Sequence, residues 1–159
     1  MKITVAELRE RAGRILAGAD LLDVRLSSAM AQSANPLLEG PFQVDSQVQT
    51  RSEVPDDEGL IYTFLRYNVR AVTESNEDAE AWQVDARFVA TYKRTTTEDL
   101  DPDDLTCFAL AIGLMTVHPY AREAIQSLVS RMGYPPFTLG MMAPLTGGAD
   151  SDLVELNED

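Results

Sequence analysis

The sequence predicts an α+β fold: a four-stranded antiparallel sheet packed on C-terminal helices, with an extra helix at the N-terminus. Three observations predict it. Four segments between residues 20 and 94 alternate apolar and polar residues with the period of two that a strand requires. Residues 4–18 and 105–132 instead place apolar residues at helical spacing. Short, turn-rich connections between the later strands suit an antiparallel meander.

The first helix, residues 4–18, has Thr4 and Glu7 at capping-box spacing. Val5, Leu8, Ala12, Ile15 and Leu16 form its stripe, and Gly18 is a stop signal, so it packs on the main body or on a neighbour. The first strand, residues 20–29, alternates Leu22, Val24 and Leu26 with Asp23, Arg25 and Ser27. Asn35-Pro36 and Gly40-Pro41 mark a turn-rich connection. The second strand, 42–54, has one wet face. In the third, 60–73, Ile61 to Ala71 line one face, while the other begins apolar (Leu60, Tyr62, Phe64) and ends polar. That patch reads as covered by a helix or loop, or as binding an apolar partner. An acidic turn, Glu74 to Glu80, leads to the fourth strand, 81–94.

Asp101-Pro102 reads as a cap followed by a first-turn proline, with Asp103 and Asp104 favourable at a helix N-terminus. Leu105 to Val117 is almost wholly apolar, so it must be buried on more than one side. One sheet covers one side only, and a subunit interface is the candidate cover for the other, through Phe108, Ala111, Ile112, Leu114 and Met115. Pro119 suits the first turn of the amphipathic helix that follows, and a kink is expected there. Ala121, Ile125, Leu128, Val129 and Met132 form that helix's stripe, and Gly133 with Pro135-Pro136 ends it. Arg122 and Glu123, adjacent and divergent, read as a solvated or interface face.

Composition excludes several functions. The chain has 26 acidic and 13 basic residues, net charge −13, which disfavours nucleic acid or an anionic membrane as a general partner. Cys107 stands alone, so no intrachain disulfide forms and a reducing, cytosolic compartment fits. Neither a signal peptide nor an apolar run long enough to span a membrane is visible. His118 is the single histidine and has no Cys/His cluster around it, so it reads as a cap or a packed side chain. No phosphate loop, nucleophile elbow or zinc-protease motif occurs, and the chain does not read as an enzyme.

The order helix, four strands, apolar helix, then Pro119-Tyr120-Ala121-Arg122-Glu123, resembles the SecB family of protein-export chaperones. Val129-Ser130-Arg131 and the Pro136–Pro144 segment, with Leu139 and Ala143-Pro144, share in the resemblance, which is dense from Phe108 to Pro144 and weak in the strands. It divides the chain into an N-terminal helical extension (1–19), a SecB-like chaperone domain (20–145) and an acidic, disordered tail (146–159). It implies a cytoplasmic homotetramer, a dimer of dimers, without a cofactor. It also implies an ATP-independent holdase that binds unfolded or preprotein polypeptides and keeps them translocation-competent for export by the SecA motor. The chain departs from general-export members in two ways. Leu145-Thr146-Gly147-Gly148 stands where a second helix opening with Asn-Phe-Asp is usual, and the tail has neither Cys nor His, so zinc-dependent docking on SecA does not carry over. With its N-terminal helix the chain is also similar to divergent SecB-like chaperones found beside toxin–antitoxin genes, which protect an antitoxin. A reading from another class is a non-catalytic oligomeric α+β scaffold.

A holdase needs apolar surface that survives folding. The candidates are Leu60, Tyr62 and Phe64, then Leu22, Val24 and Leu26 if the first strand lies at an edge. Phe137, Leu139, Met141 and Met142 are a candidate flexible wall, methionine being adaptable to varied clients.

Overall fold

The computed structural model describes residues 2–55 and 59–140, with the backbone of 153–155. The elements are β1 (Lys2–Thr4), α1 (Val5–Leu16), β2 (Ala19–Ser33), β3 (Phe42–Glu53), β4 (Leu60–Thr73), β5 (Asn76–Arg94), α2 (Pro102–Phe108), a π-helical segment (Ala109–Gly113), α3 (Leu114–Arg131) and β6 (Leu153–Glu155). β2, β5, β4 and β3 form one antiparallel sheet in that order, so β3, β4 and β5 are a meander and β2 and β3 are its two edges. The expected α+β class and four-stranded sheet are therefore present.

Two strands differ in length from their patterns. β2 continues to Ser33, and β5 starts at Asn76 rather than after an acidic turn. Residues 74–78 are exposed and carry no apolar alternation, so nothing in the sequence marks them as strand. Their pairing is irregular, with Thr73 opposite Asn76 and Val72 opposite Glu80. A second, two-stranded sheet pairs β1 with β6. Three residues are too few to show a periodicity, and within the tail expected to be disordered only this strand is described.

The helical layer is one path with a defect in it. The backbone stays right-handed helical at Ala109, Gly113 and Leu114, where α2, the π segment and α3 join. Ala109, Gly113, Val117, Ala121, Ile125 and Val129, every fourth residue, are all buried. An α-helix turns about 100° per residue, so positions four apart drift around it. The wider π turn winds part of that drift back and keeps Ala109 and Gly113 on the buried side. Pro119 neither starts the helix nor interrupts it. The helix starts at Pro102, and α3 runs through Pro119. Pro119 and Met115, whose carbonyl loses its partner, are both exposed, so water can satisfy that oxygen.

The second cover of the apolar helix lies within the chain. Ile3, Leu8 and Ala12 pack on Cys107 and Ala111. At the rim of this contact Arg11 lies 3.5 Å from Asp103 and from Asp104, and Arg14 lies 3.5 Å from Asp104. The Thr4–Glu7 capping box forms with both of its hydrogen bonds, at 3.2 and 3.0 Å. Phe108 is buried on the sheet side, its ring 5.0 Å from that of Tyr92. Phe108 and Ala111 are thus interior residues of one subunit, not surface available to a second one. Ile112 and Leu114 are half-buried, and Met115 is 59% exposed.

Gly113 sets how closely helix and sheet approach. A Cβ there would lie 2.4 Å from Thr63 Cγ2. Thr63 is fully buried and its hydroxyl hydrogen-bonds Ser52 Oγ at 2.8 Å, so it has no room to turn away. Gly113→Ala is expected to destabilise by about 1–3 kcal/mol through overpacking. Adding Thr63→Ser, which removes Cγ2 and keeps the hydroxyl, should recover most of that loss. Urea denaturation of the two single variants and the double variant measures the coupling; simple additivity would show that the contact does not limit the packing.

Candidate functional site

The chain passes from one edge of the sheet to the other between Ser33 and Phe42, and this crossing forms one wall of a pocket. Asn35 accepts from the Leu37 N–H through Oδ1 at 3.1 Å, and its carbonyl accepts from Leu38 N–H at 3.2 Å, which turns the chain. Ala34 N–H is anchored on the Ala81 carbonyl at 2.9 Å. The peptide Gly40–Pro41 is cis. Leu38 and Phe42 reach the main core, while Leu37 points away, 87% exposed.

The end of α3 meets this crossing. Gly133 adopts φ +84°, a left-handed stop that glycine reaches without a steric penalty, and Tyr134 follows. The Tyr134 O–H donates to the Ala81 carbonyl at 2.8 Å and accepts from Ser33 Oγ at 2.6 Å. Its ring meets Phe42 edge-on at 6.1 Å and lies 6.5 Å from Trp82. Between crossing and helix end is a cavity of about 240 Å³, walled by Pro36, Leu38, Phe42, Met132, Tyr134 and Pro135, with Glu39 the charged side chain on its lining. Size and lining suit one large apolar side chain of a bound chain, not a polar metabolite.

The edge strand β2 adds exposed apolar surface. Val24 and Leu26 pair with Ala90 and Phe88, so they face the helical side of the sheet, where Val24 is half-buried and Leu26 is 49% exposed. Leu22 sits in a bulge between Leu21 and Asp23 and is 56% exposed. Leu21, opposite Tyr92, is 50% exposed on the same side as Leu26. Patterning overlooks Leu21 because the bulge breaks the alternation there.

The remaining candidates scatter. Leu60, Tyr62 and Phe64 are half-buried on the opposite face of the sheet, with Arg51 stacked 4.6 Å above the Phe64 ring. Phe137 packs 5.6 Å from Trp82, and Leu139 is buried in the main core, so these two are fixed packing residues and not a mobile wall. Trp82 holds Phe137 and the main core encloses Leu139, both through residues distant in sequence, and a local pattern cannot show that. Met141 and Met142 lie outside the described residues. Of the shared motif, Pro119, Tyr120 and Glu123 are exposed and Arg122 is half-buried. The apolar members of the cavity, Leu38, Phe42, Met132 and Tyr134, were not singled out; two adjacent leucines in a Pro/Gly-rich connection are the signal that marks it.

The polar groups are structural. His118 Nε2–H donates to the Gly140 carbonyl at 2.9 Å, and Nδ1 faces the buried Tyr67 hydroxyl at 3.3 Å. Burial pushes the Tyr67 hydroxyl up from its ordinary value. Burial also pushes the Cys107 thiol up, outweighing nearby Arg11, so the thiol stays protonated and inert. Among the described residues no group of three or more His, Cys, Asp or Glu could hold a metal, and no helix is long and apolar enough to cross a membrane.

No family model matches the chain, and no curated protein does. Among solved structures, a SecB-like chaperone from Mycobacterium tuberculosis, in complex with a ChAD peptide from an antitoxin, matches with TM-score 0.76 at 21% identity, over 87% of this chain and 99% of that one. A protein of unknown function from Streptococcus agalactiae matches with TM-score 0.46 at 7% identity, over 77% and 97% of the two chains. The chain therefore has the SecB-like fold.

Tyr134 is the hinge-pin of the cavity. Tyr134→Phe keeps the ring and leaves Ser33 Oγ without its nearest partner, and should cost about 1 kcal/mol by urea denaturation. A loss below a few tenths would show that water replaces the hydroxyl at no cost.

Proposed function

We propose that the chain is an ATP-independent polypeptide-binding chaperone whose principal client is the antitoxin of a toxin–antitoxin pair. One observation carries this reading: a half-open, mainly apolar pocket lies between the crossing and the end of α3, with Leu37 87% exposed on the crossing itself. Exposed apolar surface around a pocket is the requirement for holding an extended client by its large side chains. The likeness to a SecB-like chaperone in complex with an antitoxin peptide supports the choice of client. General holdase activity would use the same surface and differ in client range. No observation favours hand-off to SecA.

The same reading has the subunits assemble as a homotetramer, a dimer of dimers. Leu21, Leu26 and Met115 support it, being large apolar side chains at least half exposed or nearly so in the single subunit. With Phe108 and Ala111 interior, Ile112, Leu114 and Met115 remain of the helix residues expected at the interface, and Leu21 and Leu26 join them.

The test is protection without nucleotide. The chain should suppress aggregation of an antitoxin encoded beside its gene at lower molar excess than it needs for an unrelated denatured protein. Leu37→Asp, at a solvated position, should weaken antitoxin binding several-fold while leaving the melting temperature unchanged. Equal action on both clients would remove the dedicated role, and an unaffected Leu37→Asp variant would remove the site. Light scattering checks assembly: Leu26→Glu with Met115→Glu should lower the mass without loss of circular dichroism.

A further inference from the structure

The sheet face turned away from the helices has an ordered charge pattern that the client reading does not use. The strand register places Arg25, Val89, Phe64 and Arg51 side by side across β2, β5, β4 and β3. The adjacent row is Ser28, Arg87, Arg66 and Gln49. Four arginines thus lie at the two ends and along one side of the apolar pair Val89 and Phe64, while the row on the other side, Asp23, Thr91, Tyr62 and Glu53, carries two carboxylates. The chain as a whole carries net charge −13, so this grouping runs against its composition.

The arginines are held in place. Asp85, buried between Arg66 and Arg87, bonds Arg66 at 2.6 and 2.7 Å and Arg87 at 3.3 Å. That bridging lets two like charges stand opposite each other in register. Burial raises the Asp85 carboxyl, but the two arginines outweigh it and hold it below the usual carboxylate range. The Arg51 guanidinium carbon lies 4.6 Å from the centre of the Phe64 ring, which holds the charge beside the apolar pair. Asp23 and Glu53 pair with Arg25 and Arg51 at exposed positions, where ion pairs are weak and easily exchanged for a better-placed carboxylate.

We infer that this face docks an acidic polypeptide segment that lies extended across the strands and carries the pattern acidic–x–apolar–x–acidic. The spacing gives the pattern. Arg25 and Arg51 are three strand intervals apart, about 14 Å. An extended chain covers that distance in about four residues, and its i, i+2 and i+4 side chains point the same way. Acidic residues at i and i+4 then reach Arg25 and Arg51, and an apolar residue at i+2 falls on Val89 and Phe64, with Arg66 and Arg87 along one side. A polypeptide is favoured over single-stranded nucleic acid because the acidic remainder of the chain repels a polyanion.

The full chain is tested by fluorescence anisotropy with a short labelled peptide centred on Glu-Ser-Trp-Ser-Glu. Controls are the same peptide with lysine for glutamate, the same with serine for tryptophan, and an oligouridylate of similar length. The acidic aromatic peptide should bind best, and more weakly as salt rises. Arg25→Glu with Arg51→Glu, both at exposed positions, should weaken it at least about tenfold and restore binding to the lysine peptide, with unchanged circular dichroism. Indifference to the double substitution, no preference over the lysine peptide, or tighter binding of the oligouridylate would overturn the inference. So would loss of the peptide in Leu37→Asp, which would place it in the client cavity. If instead the double variant keeps antitoxin protection while losing the peptide, the two surfaces are separate, as inferred.

Discussion

The close approach of the helical layer to the centre of the sheet governs this molecule. Gly113 lies over Thr63 with no space for even one more carbon. Its neighbour on the buried side, Ala109, is also small, and Val117, Ala121, Ile125 and Val129 continue the contact along α3. Small residues near the π turn and larger ones along α3 let one helical path follow a twisted sheet. The π segment is what keeps the small residues on the buried side.

Two consequences follow from that seat. The helix's far side, too apolar for water, needs a cover, and α1 supplies it with Ile3, Leu8 and Ala12 over Cys107 and Ala111. The subunit is therefore a stack of three layers, sheet, helix and helix. At the other end α3 stops at Gly133, and Tyr134 is pinned to the crossing that joins the two sheet edges. The crossing and the helix end that wall the pocket are fixed to the same carbonyl, Ala81, through Ala34 and Tyr134.

The two faces of the sheet are thereby given different characters. The helical side keeps apolar surface at its margins, at Leu21 and Leu26 and around the cavity. The other side carries arginines beside an aromatic centre, ordered by Asp85. The two proposed guests, one apolar and one acidic, therefore fall on opposite sides of the sheet.

Local rules settle much of this. Thr4 with Glu7, and Asp101 with Pro102, mark helix starts by hydrogen bonds and φ values that involve neighbours in sequence. The alternation of residues 60–73 marks β4 to the residue, because a half-buried sheet imposes a period of two. Such signals, together with the Pro119–Glu123 motif, sufficed for the fold class. Partners distant in sequence escape them. That Ala111 is interior depends on α1, about a hundred residues earlier; that Phe108 is interior depends on Tyr92 of the sheet, and that Leu139 is core depends on where the chain turns back after Gly133. The π turn, the helix that covers the helix, and the meeting of Arg25, Arg51, Arg66 and Arg87 across four strands arise only in the assembled tertiary structure. The sequence by itself determined the four long strands and the two helical stretches, since those obey periods and caps within a few residues; β1, β6 and the π turn lay outside such signals. Only the tertiary structure decided what each apolar face meets, because burial is a property of pairs of surfaces and not of one segment.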